Sequence, residues 1–264
     1  MNKLTILLIL FTFSLVTQAA TVNVGYNFND TPLFNYLDDS NNFGSPGATV
    51  PNVSFNRYNL GTVSAGNLSS NNIDIFIASS KLGYSSPQAN DLYNFVMTGG
   101  NLLIYSDYGD SANVNIVANK FGVSFQNDWT LYSPFEVQSG VEMVTDGPFA
   151  VTGPGGFAGD ATSRISDLGS YAKAVTKYAD PSTITSQALI LPGTLGDNAG
   201  SVFFFNDWLQ DTFNGCANVN TRNIILNYFA NASEQTSLTG AVPEPSSILL
   251  LALASIACFY KFQK

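Results

Sequence analysis

Three short, mostly apolar runs constrain the fold of this chain more than any other feature of its sequence. They lie at residues 73–78 (IDIFIA), 101–106 (NLLIYS) and 201–206 (SVFFFN). Runs of this length that are rich in β-branched and aromatic residues are typical of strands buried on both faces, as in a parallel sheet. Since such a sheet needs helices to cover both faces, the runs predict an α/β protein.

Helical segments follow these runs and indicate how the strands are connected. We predict helices at residues 86–98, 111–120 and 218–230, the first with Ser86 as its N-cap and Pro87 at its first position. Strand, helix and strand at this spacing imply right-handed βαβ units. We therefore expect a three-layer α/β sandwich with a mainly parallel sheet.

Further elements are predicted on either side of these units. Residues 21–26 and 53–58 are expected to be strands, and residues 31–37 a short helix with Asp30 as its N-cap. The stretch from residue 133 to 167 is rich in glycine and proline, and it indicates loops with short β pieces. Two antiparallel strands are expected after it, at residues 171–178 and 187–191.

The N-terminus has the three parts of a secretory signal peptide. Lys3 provides the positive charge, residues 4–16 form an apolar run that is short for a membrane span, and Ala19 and Ala20 are small. We predict that residues 1–20 are the signal peptide and that signal peptidase cleaves after Ala19 or Ala20. An uncleaved membrane anchor is the alternative.

The C-terminus has the features of a sorting signal. Pro243, Glu244 and Pro245 precede an apolar run at residues 248–260, and lysines end the chain. The two prolines keep the approach extended, since proline fixes φ and disfavours helix in the residue before it. The apolar run is expected to insert into the membrane as a helix, with the lysines on the cytoplasmic side.

This end closely resembles the PEP-CTERM sorting signal of Gram-negative bacteria. The resemblance implies processing of residues 242–264 by exosortase, a membrane-embedded protease-transpeptidase, with residues 232–241 as a linker. It also implies export through the inner membrane and periplasm to the cell surface or the extracellular matrix, often together with exopolysaccharide and biofilm production. A plain C-terminal anchor is the alternative.

The middle of the chain, residues 21–231, resembles class I glutamine-amidotransferase-like (GATase-like, flavodoxin-like) domains, in particular their non-catalytic extracytoplasmic relatives. The segments that carry the resemblance are DIFIASS, ANDLYNFVMTGGNLLIYSD and NIVANKFGVSF, followed by VFFFNDW and NTRNIILNYFA. An active glutaminase needs a cysteine after a strand, a histidine and an acid. Here the strand at residues 101–106 leads into Asp107, and glutaminase activity is therefore not implied.

The composition excludes several classes of function. The chain has no histidine, which removes every mechanism that needs an imidazole base. A formal net charge of −9 repels nucleic acid and gives no attraction to anionic lipid. Of the two cysteines, Cys258 lies in the apolar tail, so Cys216 is alone in the middle and no disulfide framework is expected.

Polar side chains follow two of the buried strands and form the candidate site. They are Ser106, Asp107 and Asp110 after one strand, and Asn206, Asp207 and Asp211 after the other. In open α/β sheets ligands bind beyond the carboxyl ends of the strands. If the strands are neighbours, four carboxylates converge, which suits Ca²⁺ or Mg²⁺, or acid and base action on a glycosidic bond. The alternative is that these residues cap turns and helices.

Five aromatic residues are candidates for a sugar-stacking platform, with packing in the core as the alternative: Trp129, Tyr132, Phe135, Trp208 and Phe213. The expected function is that of an exported, non-enzymatic protein that binds glycan or has a structural role in the envelope or exopolysaccharide matrix. No cofactor is expected apart from Ca²⁺ at the carboxylates. The alternative is a carbohydrate-active hydrolase that uses Asp107, Asp110 and Asp207.

Overall fold

The computed structural model describes residues 19–127, 134–156, 162–179 and 184–240. Its strands are β1 (Ala20–Tyr26), β2 (Phe43–Gly44), β3 (Val50–Pro51), β4 (Val53–Asn59), β5 (Ile75–Ser79), β6 (Asn101–Tyr105), β7 (Ser124–Asn127), β8 (Phe135–Val137), β9 (Ser163–Asp167), β10 (Lys173–Tyr178), β11 (Thr185–Ile190) and β12 (Val202–Phe205). Its α-helices are α1 (Thr31–Asp38), α2 (Ala65–Ser70), α3 (Ser86–Met97), α4 (Ser111–Ala118), α5 (Glu142–Thr145), α6 (Leu209–Asp211) and α7 (Val219–Gly240).

Ten of the described strands form one sheet in the order β4-β1-β5-β6-β12-β11-β10-β8, with β9 paired to β11 and β7 to β9. The strands from β4 to β12 in this order are parallel. All pairings beyond β12 are antiparallel. The sheet as a whole is therefore mixed and not mainly parallel, and the two antiparallel strands expected at residues 171–178 and 187–191 are present as β10 and β11. A crossover helix is needed between parallel neighbours, and the chain from β9 to β11 has only short connections.

Helices cover both faces of the sheet, which confirms the α/β class and gives three layers. Along β5, Ile75 and Ile77 pack with residues of α1 and α7. Phe76 and Ala78 point to the other face and pack with residues of α2, α3 and α4. This alternation explains why residues 75–78 are all apolar, because both faces of the strand are buried.

The start of α3 and the end of α7 differ from the sequence prediction. The N-cap of α3 is Ser85 and not Ser86, since Ser85 forms a capping box with Gln88. The last helix, α7, continues to Gly240 and so includes most of the segment predicted as a linker. Residues 231–239 contain neither proline nor glycine, so no residue in that stretch ends the helix.

No helix among the described residues is long and apolar enough to cross a membrane. The apolar runs at residues 4–16 and 248–260, and the motif residues Pro243, Glu244 and Pro245, lie outside the described residues. Ala19 and Ala20 are described, and Ala20 is the first residue of β1, where its N–H donates to the carbonyl of Asn52.

Candidate functional site

The carboxyl ends of β1, β5, β6 and β12 lie side by side at one edge of the sheet. The two strands that precede the predicted site residues, β6 and β12, are direct neighbours, with Tyr105 opposite Phe205. The sequence predicted a shared site if these two strands were neighbours, and the structure shows that they are. Polar residues follow each of the four strands and form the candidate site.

Lys81, which follows β5, lies between the two carboxylates that follow β6. Its Nζ is 2.5 Å from Oδ2 of Asp107 and 3.0 Å from Oδ2 of Asp110. The side chains of Lys81, Asp107 and Asp110 are 23%, 15% and 34% exposed, so solvent reaches all three. Burial opposes the charge of Lys81, but the two carboxylates outweigh it and raise the pKa of its ammonium group.

The backbone holds Asp107 in this position. Its N–H donates to Oγ of Ser80 at 3.0 Å, and its Oδ1 accepts from the N–H of Tyr108 at 2.7 Å. The chain then turns, and the N–H of Asp110 donates to the carbonyl of Asp107 at 3.3 Å. Both carboxylates are therefore presented by one short turn at the end of β6.

Trp208, which follows β12, completes the group. The Nζ atom of Lys81 lies 4.7 Å from the centre of the indole ring, which is the geometry of a cation–π contact. We call Lys81, Asp107, Asp110 and Trp208 the Lys81 cluster. It unites residues from the ends of three neighbouring strands, β5, β6 and β12.

Beside the Lys81 cluster is a fully buried carboxyl group, Asp30, which follows β1. The hydroxyl of Tyr105 donates to its two oxygens at 3.0 and 3.3 Å. Burial raises the pKa of Asp30 from 3.8 to about 7, against the opposing effects of Tyr105, Trp208 and the charge of Lys81. The indole N–H of Trp208 lowers the pKa of Asp30 from a position that does not meet the geometry of a hydrogen bond. Asp30 therefore binds a proton more readily than an exposed aspartate does.

Asp30 was predicted as the N-cap of α1, and it holds that position without capping the helix with its side chain. Its carboxylate faces Tyr105 across the sheet edge and not the N–H groups of the helix. The position of Asp30 at the start of α1 follows from the sequence. Its hydrogen-bond partner, Tyr105, depends on the placement of β6 beside β5.

A second hydrogen-bond chain joins the ends of β1 and β5. The N–H of Ser79 donates to the hydroxyl oxygen of Tyr84 at 3.0 Å, and that hydroxyl donates to Oδ1 of Asn27 at 3.0 Å. Burial raises the pKa of Tyr84 well above its usual value, so it stays a neutral donor. This chain fixes the loop that carries Lys81.

Asn206 and Asp207 are fully buried, and their side chains form hydrogen bonds with other residues of the domain. The amide of Asn206 donates to the carbonyl of Ser163 at 3.1 Å and to the hydroxyl of Tyr178 at 3.2 Å. Oδ2 of Asp207 accepts from the hydroxyl of Thr212 at 3.5 Å. These hydrogen bonds connect the end of β12 to β9, to β10 and to the residue after α6.

The predicted carboxylates therefore divide into two sets. Asp107 and Asp110 contact Lys81, whereas Asp207 contacts Thr212 and Asp211 lies in α6. Within the described ranges, no group of three or more Cys, Asp or Glu side chains is arranged to hold a metal ion. The ammonium group of Lys81 takes the place between Asp107 and Asp110 that a cation would need.

The five aromatic residues predicted as a sugar-stacking platform also lie in different parts of the protein. Trp129 and Tyr132 lie outside the described residues. Phe135 and Phe213 belong to the hydrophobic core, which was the alternative for them. Trp208 is partly buried and lies in the Lys81 cluster.

Sequence reasoning did not identify Lys81, Asp30 or Tyr105 as site residues. A signal was present for two of them, because Lys81 and Asp30 follow strands of the same parallel set, as Asp107 does. The rule that ligands bind beyond the carboxyl ends of strands applies equally to all of these positions. Tyr105 gave no signal, because its sequence context is that of one more apolar residue of β6.

Comparison with known proteins gives one match to a family model. Residues 241–262 match the PEP-CTERM protein-sorting motif. This range contains Pro243, Glu244 and Pro245, so the predicted sorting signal is confirmed. The chain is thus an exported protein that exosortase sorts at the membrane. No curated protein matches the chain in sequence.

Solved structures resemble the domain in fold. The "mmIFT52 N-terminal domain" aligns with a TM-score of 0.54 at 11% identity, covering 85% of this chain and 100% of that one. The β-galactosidase from Bacillus circulans sp. alkalophilus aligns with a TM-score of 0.50 at 12% identity, covering 83% of this chain and 31% of that one. At such identities the likeness shows the fold alone. The GATase-like nature of the domain stays a prediction.

Proposed function

We propose that this exported chain is a non-enzymatic protein of the cell surface or extracellular matrix, and that its Lys81 cluster binds a glycan of the envelope or exopolysaccharide. The main support is the pairing of one ammonium group with both Asp107 and Asp110. This arrangement presents charged hydrogen-bonding groups that are already oriented, beside an aromatic ring. The domain is proposed as a non-catalytic member of the GATase-like class.

The same pairing argues against hydrolysis. A glycosidase needs one carboxyl group that gives a proton and a second that acts as base or nucleophile. Asp107 and Asp110 both contact the ammonium group of Lys81, so both are engaged in ion pairs within the protein. Burial raises the pKa of Asp30, but this carboxyl group is fully buried and out of reach of a polymer.

The surroundings of the cluster suit sugars. Tyr108, next to Asp107, is 38% exposed, and Trp208 lies against Lys81 on the other side. Aromatic rings have an apolar face and a polar edge, which matches the mixed surface of a sugar ring. Carboxylate and ammonium groups accept from and donate to hydroxyl groups.

The ends of the chain support the location. We propose that signal peptidase removes residues 1–20, and that the apolar run at 248–260 spans the inner membrane until exosortase acts on the sorting motif. This sequence of events would place the domain at the surface of a Gram-negative cell.

The proposal can be tested by retention on exopolysaccharide. The exported protein is purified as its host processes it and is passed over immobilised exopolysaccharide from the same host, with retention and released sugar both measured. We expect retention without released sugar. Lys81→Met should weaken retention about tenfold, because the two carboxylates lose the group that orients them.

Lys120→Met is the matched control, since Lys120 is an exposed lysine in the short 3-10 turn after α4. It should retain the polysaccharide like the unchanged protein. Release of sugar that depends on Asp107 or Asp110 would favour the hydrolase. Equal retention by both lysine variants would remove the Lys81 cluster from the binding site.

A further inference from the structure

We infer that the domain has a second binding site, a cleft at the opposite edge of the sheet that takes a neutral oligosaccharide chain. The cleft has a volume of about 950 Å³ and lies at the amino ends of β5, β6 and β12, between α2, α3 and the loop of residues 192–200. The Lys81 cluster lies at the carboxyl ends of the same strands. One molecule would therefore hold two glycan segments on opposite sides.

Closely packed glycines form part of the wall of the cleft. A Cβ atom on Gly200 would lie 2.1 Å from the carbonyl oxygen of Gly100, so the two backbones approach more closely than any side chain allows. A Cβ on Gly100 would overlap the ring of Phe95 at 2.3 Å. Bare backbone therefore forms part of the lining, and Phe95 is seated directly against it.

The charges of the lining restrict the ligand. Asp74, Asp91 and Asp197 line the cleft, and no lysine or arginine is found among its described lining residues. An anionic polymer would be repelled. Asp74 precedes β5, Asp91 belongs to α3 and Asp197 to the loop of residues 192–200, so the three carboxylates come from three separate elements. Dispersed acceptors suit the hydroxyl groups of a neutral sugar chain.

Amide groups supply the hydrogen-bond donors that the carboxylates lack. Asn94 of α3 and Asn198 of the loop both line the cleft and are exposed. An amide both donates and accepts, as a hydroxyl group does. Oδ2 of Asp74 accepts from the N–H of Asn23 at 2.8 Å, so Asp74 is committed to the fold. Asp91 and Asp197 are then the carboxylates for the ligand.

The size points to a chain and not to a single sugar. Small-molecule sites have volumes of roughly 300–1,000 Å³, and this cleft is at the upper end of that range. The choice of a glycan rests on the proposed function, because a cationic peptide would also be attracted by the carboxylates. The test below separates these ligands and also separates the cleft from the Lys81 cluster.

The test is calorimetric titration of the exported protein with cellohexaose, xylohexaose, mannohexaose and maltohexaose, and with hexalysine and hexagalacturonate as charged probes. We expect at least one neutral hexasaccharide to bind. Asn94→Trp, which fills the cleft from α3, should weaken that binding about tenfold or more. Asn90→Trp is the matched control, because Asn90 is exposed on the same helix and does not line the cleft.

Asp91→Asn with Asp197→Asn should also weaken binding, and Lys81→Met should leave the cleft affinity unchanged. Binding lost in Lys81→Met and kept in Asn94→Trp would overturn the cleft and leave the proposed function standing. Binding of hexalysine in place of every neutral sugar would overturn the ligand class. If no neutral hexasaccharide binds, the cleft proposal is wrong, and retention on exopolysaccharide alone then decides the proposed function.

Discussion

At the residue scale, Asp30 links the candidate site to the stability of the fold. Its pKa is about 7 in the folded protein, whereas an aspartate in the unfolded chain has its ordinary pKa of 3.8, so folding favours the protonated form. The stability from this proton is complete below about pH 4 and is lost as the pH rises to about 7. The shift of about three units corresponds to ~4 kcal/mol.

We therefore expect Asp30→Asn to remove part of the pH dependence of folding. The unchanged protein should lose ~2–3 kcal/mol from this group between pH 5 and pH 8, whereas the variant keeps an uncharged acceptor for the hydroxyl of Tyr105. Urea unfolding at the two pH values measures the difference. Asp197→Asn, at an exposed position, is the control. Identical pH dependence in Asp30→Asn and the unchanged protein would contradict the assigned pKa.

A second prediction at this scale concerns metal ions. Since Lys81 pairs with Asp107 and Asp110, we expect neither Ca²⁺ nor a chelator to change the melting temperature of the protein. In Lys81→Met the two carboxylates lose their partner, and Ca²⁺ should then raise the melting temperature. A Ca²⁺-dependent rise in the unchanged protein would show that the ion displaces Lys81.

At the scale of the elements, the strand runs were predictable and the exact ends were not. The apolar runs identify β5, β6 and β12 because burial on both faces leaves no polar alternation in the sequence. The cap of α3 was assigned one residue too late, since Ser85 and Ser86 are equally good caps and only the bond to Gln88 distinguishes them. The length of α7 was underestimated, because its polar end resembles a linker in composition.

The close approach of Gly100 and Gly200 gives a test of the packing between β6 and β12. Gly200→Ala should destabilise the protein by ~1–3 kcal/mol or more, because its Cβ would meet the backbone oxygen of Gly100 at 2.1 Å. Gly47→Ala is the matched control, since nothing lies within 4 Å of a Cβ at that position. Thermal unfolding compares the two. Equal stabilities would mean that the strand ends move apart easily.

At the scale of the whole molecule, sorting and folding are carried by different parts of the chain. The described core ends within α7, before the match to the sorting motif begins at residue 241. We expect a chain that ends at residue 240 to be secreted and to unfold at the same temperature as the processed protein. Cell fractionation and thermal unfolding measure the two properties. A truncated chain that stays with the membrane would show that another segment anchors it.

Pro243→Ala with Glu244→Ala should block processing, since the substitutions alter the matched motif and leave the apolar run unchanged. The intact mass of the exported protein reports the result, and Ser246→Ala is a control beside the motif. Normal processing of the double variant would contradict the role of these two residues.

The sequence by itself determined the α/β class, the sorting signal predicted at residues 242–264 and the lack of any histidine-based catalysis. These properties depend on composition and on spacing along a single segment. The tertiary structure alone decided that β7, β8 and β9 join the antiparallel half of the sheet, that Lys81 lies between Asp107 and Asp110, and that Asp30 faces Tyr105. Such contacts join residues that are far apart in the chain. They depend on the order of the strands in the sheet, and no local sequence pattern encodes that order.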